Sequence, residues 1–253
     1  MKNKLSYEGY RLVWEEQFEG KNLNLNDWNI EVHEPGWVNH ELQEYTTSSA
    51  NTYIRDGKLV LKAIKHVDEK GNITYTSGRV STRSKKDFIY GIFEARVKVP
   101  KGKGFLPAFW LMTTEEDVYG QWPRCGEIDI MEVLGHDTNT TYGTIHFGLP
   151  HKQSQGKSAL ETGSFSEEYH TFQLKWEPGK ISWYVDGNFF FEESEWYSVR
   201  EEIGEIPYPA PFDHPFYILL NLAVGGDWPG EPDETTDFEN EVYEIDYVKV
   251  YQK

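Results

Sequence analysis

The chain has 253 residues and a formal net charge of −17, from 42 acidic and 25 basic side chains. That balance repels the phosphates on which non-specific binding to polyanions depends, so nucleic acids and anionic membranes are poor partners. A single cysteine, Cys125, excludes an intrachain disulfide, and no apolar run has the length of a membrane span.

Length and pattern suit one domain covering residues 1–253, with no internal repeat, low-complexity tract or linker to divide it. Residues 1–20 lack the apolar core of a secretory signal, which leaves the compartment open. Nothing in the composition requires a partner subunit, and a monomer is expected. Nine Trp, sixteen Tyr and fourteen Phe make up 15% of the chain. Most belong in the core, because aromatic residues favour strands and bury large areas. Flat apolar faces with a polar edge suit the C–H faces of sugar rings, so a minority of these residues could form a carbohydrate cleft.

In chain order, residues 51–55 and 58–62 are two short strands joined through Asp56-Gly57, a dipeptide suited to a tight hairpin turn. Residues 93–99 alternate apolar with charged side chains, which predicts a strand with one wet face. Residues 126–134 form an apolar run that carries three acids. Residues 181–185 and 188–191 repeat the hairpin pattern through Asp186-Gly187, and a short helical turn is expected over 197–203. Pro207, Pro209, Pro211 and Pro215 mark a surface loop, strand signals resume at Phe216, and 243–251 is a closing strand. Many strands at short spacing, with weak helical periodicity throughout, predict an all-β chain folded as a sandwich or barrel of antiparallel sheets.

The informative segment is Gly126-Glu127-Ile128-Asp129-Ile130-Met131-Glu132. Burying a carboxylate costs several kcal/mol unless it is paired or neutral, so three acids on an apolar strand point to use rather than stability. Side chains two apart share a face of a strand, which puts Glu127 and Asp129 on one side and Ile128 and Ile130 on the other. Glu132 breaks that period. A one-residue bulge near Met131 would turn it back to join the other two acids. Two carboxylates flanking a bond suit glycoside hydrolysis, in which one attacks the anomeric carbon and the other protonates the leaving oxygen, the pair standing roughly 5–5.5 Å apart in retaining enzymes. A divalent-cation site or a solvated acidic strand would fit the same spacing. Cys125, beside this strand, is expected to be a buried structural thiol, since no base tuned to a thiolate is evident.

These residues carry a resemblance. Together with Trp122-Pro123, Ser77-Gly78-Arg79, 90–96, 107–112, 142–147 and 221–230, the acidic strand resembles family 16 glycoside hydrolases of the bacterial laminarinase (endo-β-1,3-glucanase) type over nearly the whole chain. The resemblance implies a β-jelly-roll sandwich of two antiparallel sheets with a concave substrate cleft, and extracellular action on a β-glucan. It implies Glu127 as nucleophile, Glu132 as general acid/base and Asp129 as the neighbour that tunes the nucleophile. The longer acidic motif, with Met131, favours β-1,3-glucan and leaves mixed β-1,3-1,4-glucan open. Trp110, Trp122 and Trp228 match cleft positions that contact sugar, Arg79 and His146 match polar cleft positions, and Asn39 and Glu41 match a loop bordering the non-reducing side.

Family resemblance also implies a structural Ca²⁺ on the convex side, for which Gly57 and Asp246 match two ligands. Gln17 stands where relatives carry Glu, which removes one charge from that donor set. No cofactor is expected in catalysis. Two other readings compete: a non-catalytic β-glucan-binding module on the same fold, and a metal-dependent hydrolase built on the acidic triplet, for which no nearby pair of histidines is evident.

Overall fold

The computed structural model describes residues 4–253, and among these the chain forms strands and no helix. Nine strands precede the centre of the chain: β1 (Arg11–Glu16), β2 (Asn29–Ile30), β3 (Gln43–Tyr45), β4 (Thr52–Arg55), β5 (Lys58–Leu61), β6 (Ile64–Val67), β7 (Ile73–Ser77), β8 (Arg79–Ser81) and β9 (Asp87–Phe88). The long strands follow: β10 (Gly91–Lys98), β11 (Phe105–Thr113), β12 (Glu127–Glu132), β13 (Thr140–Phe147), β14 (Lys152–Ala159), β15 (His170–Glu177), β16 (Lys180–Val185) and β17 (Asn188–Glu193). The last four are β18 (Tyr197–Arg200), β19 (Gly204–Pro207), β20 (Phe216–Val224) and β21 (Tyr243–Gln252).

Two antiparallel sheets of eight strands face each other as a β-jelly-roll sandwich. One runs β14-β13-β12-β11-β20-β8-β2 with β9 on β20; the other runs β17-β16-β15-β10-β21-β5-β4 with β1 on β21. Their inner faces share one apolar cluster, in which Phe109, Ile128, Ile145 and Leu220 of the first meet Phe93, Phe172, Leu174, Trp183 and Val250 of the second. At roughly 25 cal/mol per Å² of apolar surface removed from water, such side chains supply the main drive for closure.

Both predicted Asp-Gly hairpins form. Asp56 and Gly57 have φ of 52° and 70° between β4 and β5, and Asp186 and Gly187 have 50° and 71° between β16 and β17. Two successive left-handed residues give the turn whose twist matches the flanking strands, a conformation Asp tolerates and Gly adopts freely.

Three expectations change, and one strand is new. Residues 197–203 are not helical: β18 and β19 form an antiparallel hairpin closed near Gly204, held down by Tyr197 against Phe147 and by Ser198 bonding the Arg124 carbonyl. Only the first half of the proline-rich segment is a surface loop; Ala210, Phe212 and His214 are buried. The charged face of β10 is not uniformly wet, because Tyr7, Tyr247 and Gln173 cover and hydrogen-bond Glu94, which is 6% exposed. Residues 152–159, to which the sequence pattern assigns no strand, form β14. Its side chains are polar because β14 is a sheet edge, and the alternation of apolar residues that reveals a strand is absent there.

Candidate active site

β12 lies between β11 and β13, and its register breaks on both sides. Against β11, Met131 pairs with Phe109 and Asp129 with Trp110, so Ile130 is the extra residue. Against β13, Asp129 pairs with Thr144 and Glu132 with Tyr142, which leaves Gly143 opposite both Ile130 and Met131. This is the predicted bulge, placed where Ile128, Ile130 and Met131 can all enter the core. Glu127, Asp129 and Glu132 consequently open on the same cleft, a cavity of about 1150 Å³ along the outer face of the first sheet.

Each acid has a different environment. Trp122 donates its indole N–H to Glu127 Oε2 at 2.9 Å, and His146 Nε2 stands 3.8 Å from Glu127 Oε1 and 3.3 Å from Asp129 Oδ2. Asp129 is the deepest of the three at 4% exposed. Glu132 accepts no side-chain hydrogen bond from the described residues. Its carboxyl is held well above the usual carboxylate range by burial and by the like charges of Asp129, Glu127 and Glu41. Burial and Asp129 also push Glu127 up, to about 8, against the opposing pull of His146, Trp122 and Arg79. The asymmetry assigns the proton: Glu132 has only acids for company, whereas Glu127 has a cation and a donor, so Glu127 ionises first.

Burial alone would depress His146, but the hydrogen bond to Asp129 and the charges of Asp129 and Glu127 outweigh it and push the imidazole up to about 9. Its Nδ1 lies 2.9 Å from His151 Nε2, and burial and the charge on His146 lower His151. The arrangement is a protonated His146 that donates towards Asp129 on one side and to a neutral His151 on the other.

All seven residues expected to meet substrate line the cleft: Asn39, Glu41, Arg79, Trp110, Trp122, His146 and Trp228. Arg79 forms a largely buried ion pair. Only 6% exposed, it donates to Glu31 Oε2 at 2.5 Å and lies over the Trp110 and Trp37 rings at 4.9 and 5.1 Å. Trp110 donates to Asn221 Oδ1 at 2.7 Å, which fixes its ring on the cleft floor. Asn39, at φ 49°, accepts the Asp227 N–H through its carbonyl and ties two rim loops together. Gln43 donates to Glu41 Oε2 at 2.7 Å, and Trp228 packs edge-on against Tyr142.

Sequence reasoning missed Trp37, Glu31 and His151. Trp37 is half-exposed in the cleft and stacked on His33 at 3.5 Å; its position two residues before Asn39 was the available signal. His151 carried no signal, since its partner is fixed only by the β13–β14 pairing.

Glu127, Asp129 and His146 also bring three ligating atoms within 4.8 Å of one another. A histidine is therefore close to the acids, although among the described residues no second one joins them at that distance. Two carboxylates and one imidazole would suit a divalent ion, but His146 Nε2 already faces both acids and its Nδ1 is taken by His151. On the convex side Asp246 is engaged by Arg96 at 2.5 Å and approached by Lys58 at 3.9 Å, while Gln17 donates its amide to Glu15. A Ca²⁺ between Gly57 and Asp246 would have to displace those cations, so the donor set does not fit the ion.

The sequence model of Glycosyl hydrolases family 16 matches residues 39–249. Glucan endo-1,3-beta-glucosidase A1 of Niallia circulans is 38% identical over 97% of this chain, which spans only 38% of that relative's length. The endo-beta-1,3-glucanase of Pyrococcus furiosus has a crystal structure that superposes with a TM-score of 0.81 and 42% identity, covering 96% of this chain and 94% of the other. A mutant of a non-specific endo-beta-1,3(4)-glucanase of the same family, holding 1,3-beta-D-cellobiosyl-glucose at its active site, superposes with a TM-score of 0.85 and 30% identity. That match covers 100% of this chain and 99% of the other.

Proposed function

Because the chain belongs to glycosyl hydrolase family 16, we propose that it is an endo-acting β-1,3-glucanase that works with net retention through a covalent glycosyl-enzyme. The observation that carries this reading is the bulge in β12, which turns Glu132 onto the face that Glu127 and Asp129 already occupy.

In the first step the Glu127 carboxylate attacks C1 of the sugar on its non-reducing side while the Glu132 carboxyl gives its proton to the leaving glycosidic oxygen. In the second, the Glu132 carboxylate takes a proton from water, whose oxygen attacks C1 and displaces Glu127. Two inversions restore the β-configuration. Asp129 lies between the two acids in sequence and beside His146, so it helps keep the Glu132 proton in place while His146 offsets the charge on Glu127. The cleft also carries Glu31, Glu41 and Asp227, which suits a neutral polymer and disfavours an anionic one. Mixed β-1,3-1,4-glucan is a second substrate of this reading, in keeping with the relative described as a non-specific endo-beta-1,3(4)-glucanase. We further take the domain to act as a monomer, on extracellular polysaccharide and without a catalytic metal. The presence of both glutamates in one cleft favours an enzyme over a glucan-binding module.

The test is to follow the first product released from laminarin by NMR. Initial β-anomer, with Glu127→Gln inactive but still binding oligosaccharide, supports the assignment; initial α-anomer would end it.

A further inference from the structure

The bulge leaves a polar backbone group to be satisfied from outside its own sheet. Where the β12–β13 register breaks between Asp129 and Glu132, the Asp129 carbonyl accepts a hydrogen bond at 2.8 Å from the indole N–H of Trp183. Trp183 belongs to β16, in the opposite sheet, and is fully buried. A buried carbonyl needs a partner, and here that partner reaches across the core.

A glycine pair makes the reach possible. Gly143 and Gly156 face each other in register across β13 and β14. A Cβ on Gly143 would run into the Trp183 ring, and one on Gly156 would run into Phe191, which packs on Trp183 with ring centres 4.9 Å apart. Neither glycine has a positive φ, so their small size is what the fold uses. Gly143 is also the residue opposite the bulged pair Ile130 and Met131. One missing side chain thus serves both the bulge and the indole that holds it.

We propose that Trp183 is a positioning residue for catalysis, fixing the bulge through the Asp129 carbonyl and thereby the placement of Glu132 relative to Glu127. This rests on the reading of Glu132 as acid/base. Without the indole N–H, the carbonyl finds another donor only if the bulge shifts or admits water, and either change moves Glu132 away from its set position. The reacting groups tolerate little of that, since a displacement of about 1 Å can cost on the order of 100-fold in rate.

Trp176 provides a matched control. It lies in β15 of the same sheet, is fully buried, and its indole N–H has no hydrogen-bond partner. Trp183→Phe and Trp176→Phe should both lower the melting temperature. Only Trp183→Phe should lower kcat on laminarin, by about 10- to 100-fold with KM little changed. It should also move the alkaline limb of the kcat profile to lower pH, because Glu132 would leave the company of Asp129, Glu127 and Glu41. Benzothienylalanine in place of Trp183, which keeps the ring shape and removes the N–H, should reproduce the kcat loss if the phenylalanine variant does not fold. Equal kcat losses in the two phenylalanine variants, or wild-type kcat and pH limb after loss of the N–H, would overturn the inference while leaving the glucanase reading intact. Absence of laminarin hydrolysis by the unsubstituted chain would overturn both.

Discussion

Trp122 and Glu127 are joined by an indole N–H···Oε2 hydrogen bond of 2.9 Å, a donor that Glu132 lacks among the described residues. Trp122 therefore does more than line the cleft: it favours the charged form of Glu127, the proposed nucleophile. Trp122→Phe keeps an apolar ring and loses the donor. The acid limb of kcat/KM should move to higher pH, and the rate at the acid side should fall about tenfold for each unit of that movement. An unmoved limb would reduce Trp122 to a stacking surface.

Glu127 is held in a place that opposes its ionisation, and the fold bears the cost. Its carboxyl, ordinarily near 4.5, is pushed up to about 8 by burial and by Asp129. A group raised on folding contributes stability that is fully present below its unfolded value and is lost as pH rises through the folded one. Glu127→Gln should consequently have a higher melting temperature than the parent at pH 8, with the difference vanishing towards pH 4. Scanning calorimetry at both pH values decides the matter; an equal difference at both would mean that the gain is not electrostatic.

His146 has the same sign of shift for the opposite reason, being raised to about 9 by the carboxylates it holds. Its contribution is complete below about 6.5 and disappears as pH passes 9. His146→Gln should lose stability below that window and match the parent above it. Melting curves from pH 6 to pH 10 would expose a contrary trend.

With Glu132 as the proposed proton donor, its loss should slow cleavage of laminarin far more than that of a glucoside whose leaving group needs no protonation. Glu132→Gln should cleave an activated aryl laminaribioside and stall at the glycosyl-enzyme. Azide, which attacks without a general base, should then restore turnover and give the β-glycosyl azide. An α-glycosyl azide, or no rescue, would count against the assignment.

On the convex side, Asp246 already has cationic neighbours in Arg96 and Lys58, and Gln17 contributes no charge. A chelator should leave both the melting temperature and the laminarin rate unchanged, and added Ca²⁺ should raise neither. A clear rise in melting temperature with Ca²⁺ would show that the arginine yields to the ion.

The acidic strand was legible because its period is local: alternation places Ile128 and Ile130 inward, and the misfit of Glu132 announces the bulge. The Asp-Gly hairpins were legible for a similar reason, a turn chemistry contained in two residues. Arg79 as a buried ion pair was not, since its partner Glu31 is 48 positions away and meets it only after β2 pairs with β8. β14 escaped notice because an edge strand in a polar cleft has no apolar side to display. Nor did anything near Trp183 in the sequence point to Asp129; that contact exists only once the two sheets close.

The broken register of β12 also changes what a gain or loss of one codon would do. Glu127 and Glu132 pair with His146 and Tyr142, so five steps along one strand span four rungs on its neighbour. Removing one of the two residues that share Gly143 would equalise the count, and the acids would still point outward. The extra residue and its bulge offset each other in direction, so together they change how the acids are spaced and braced, and the motif can lose that residue without passing through an inverted, inactive sheet.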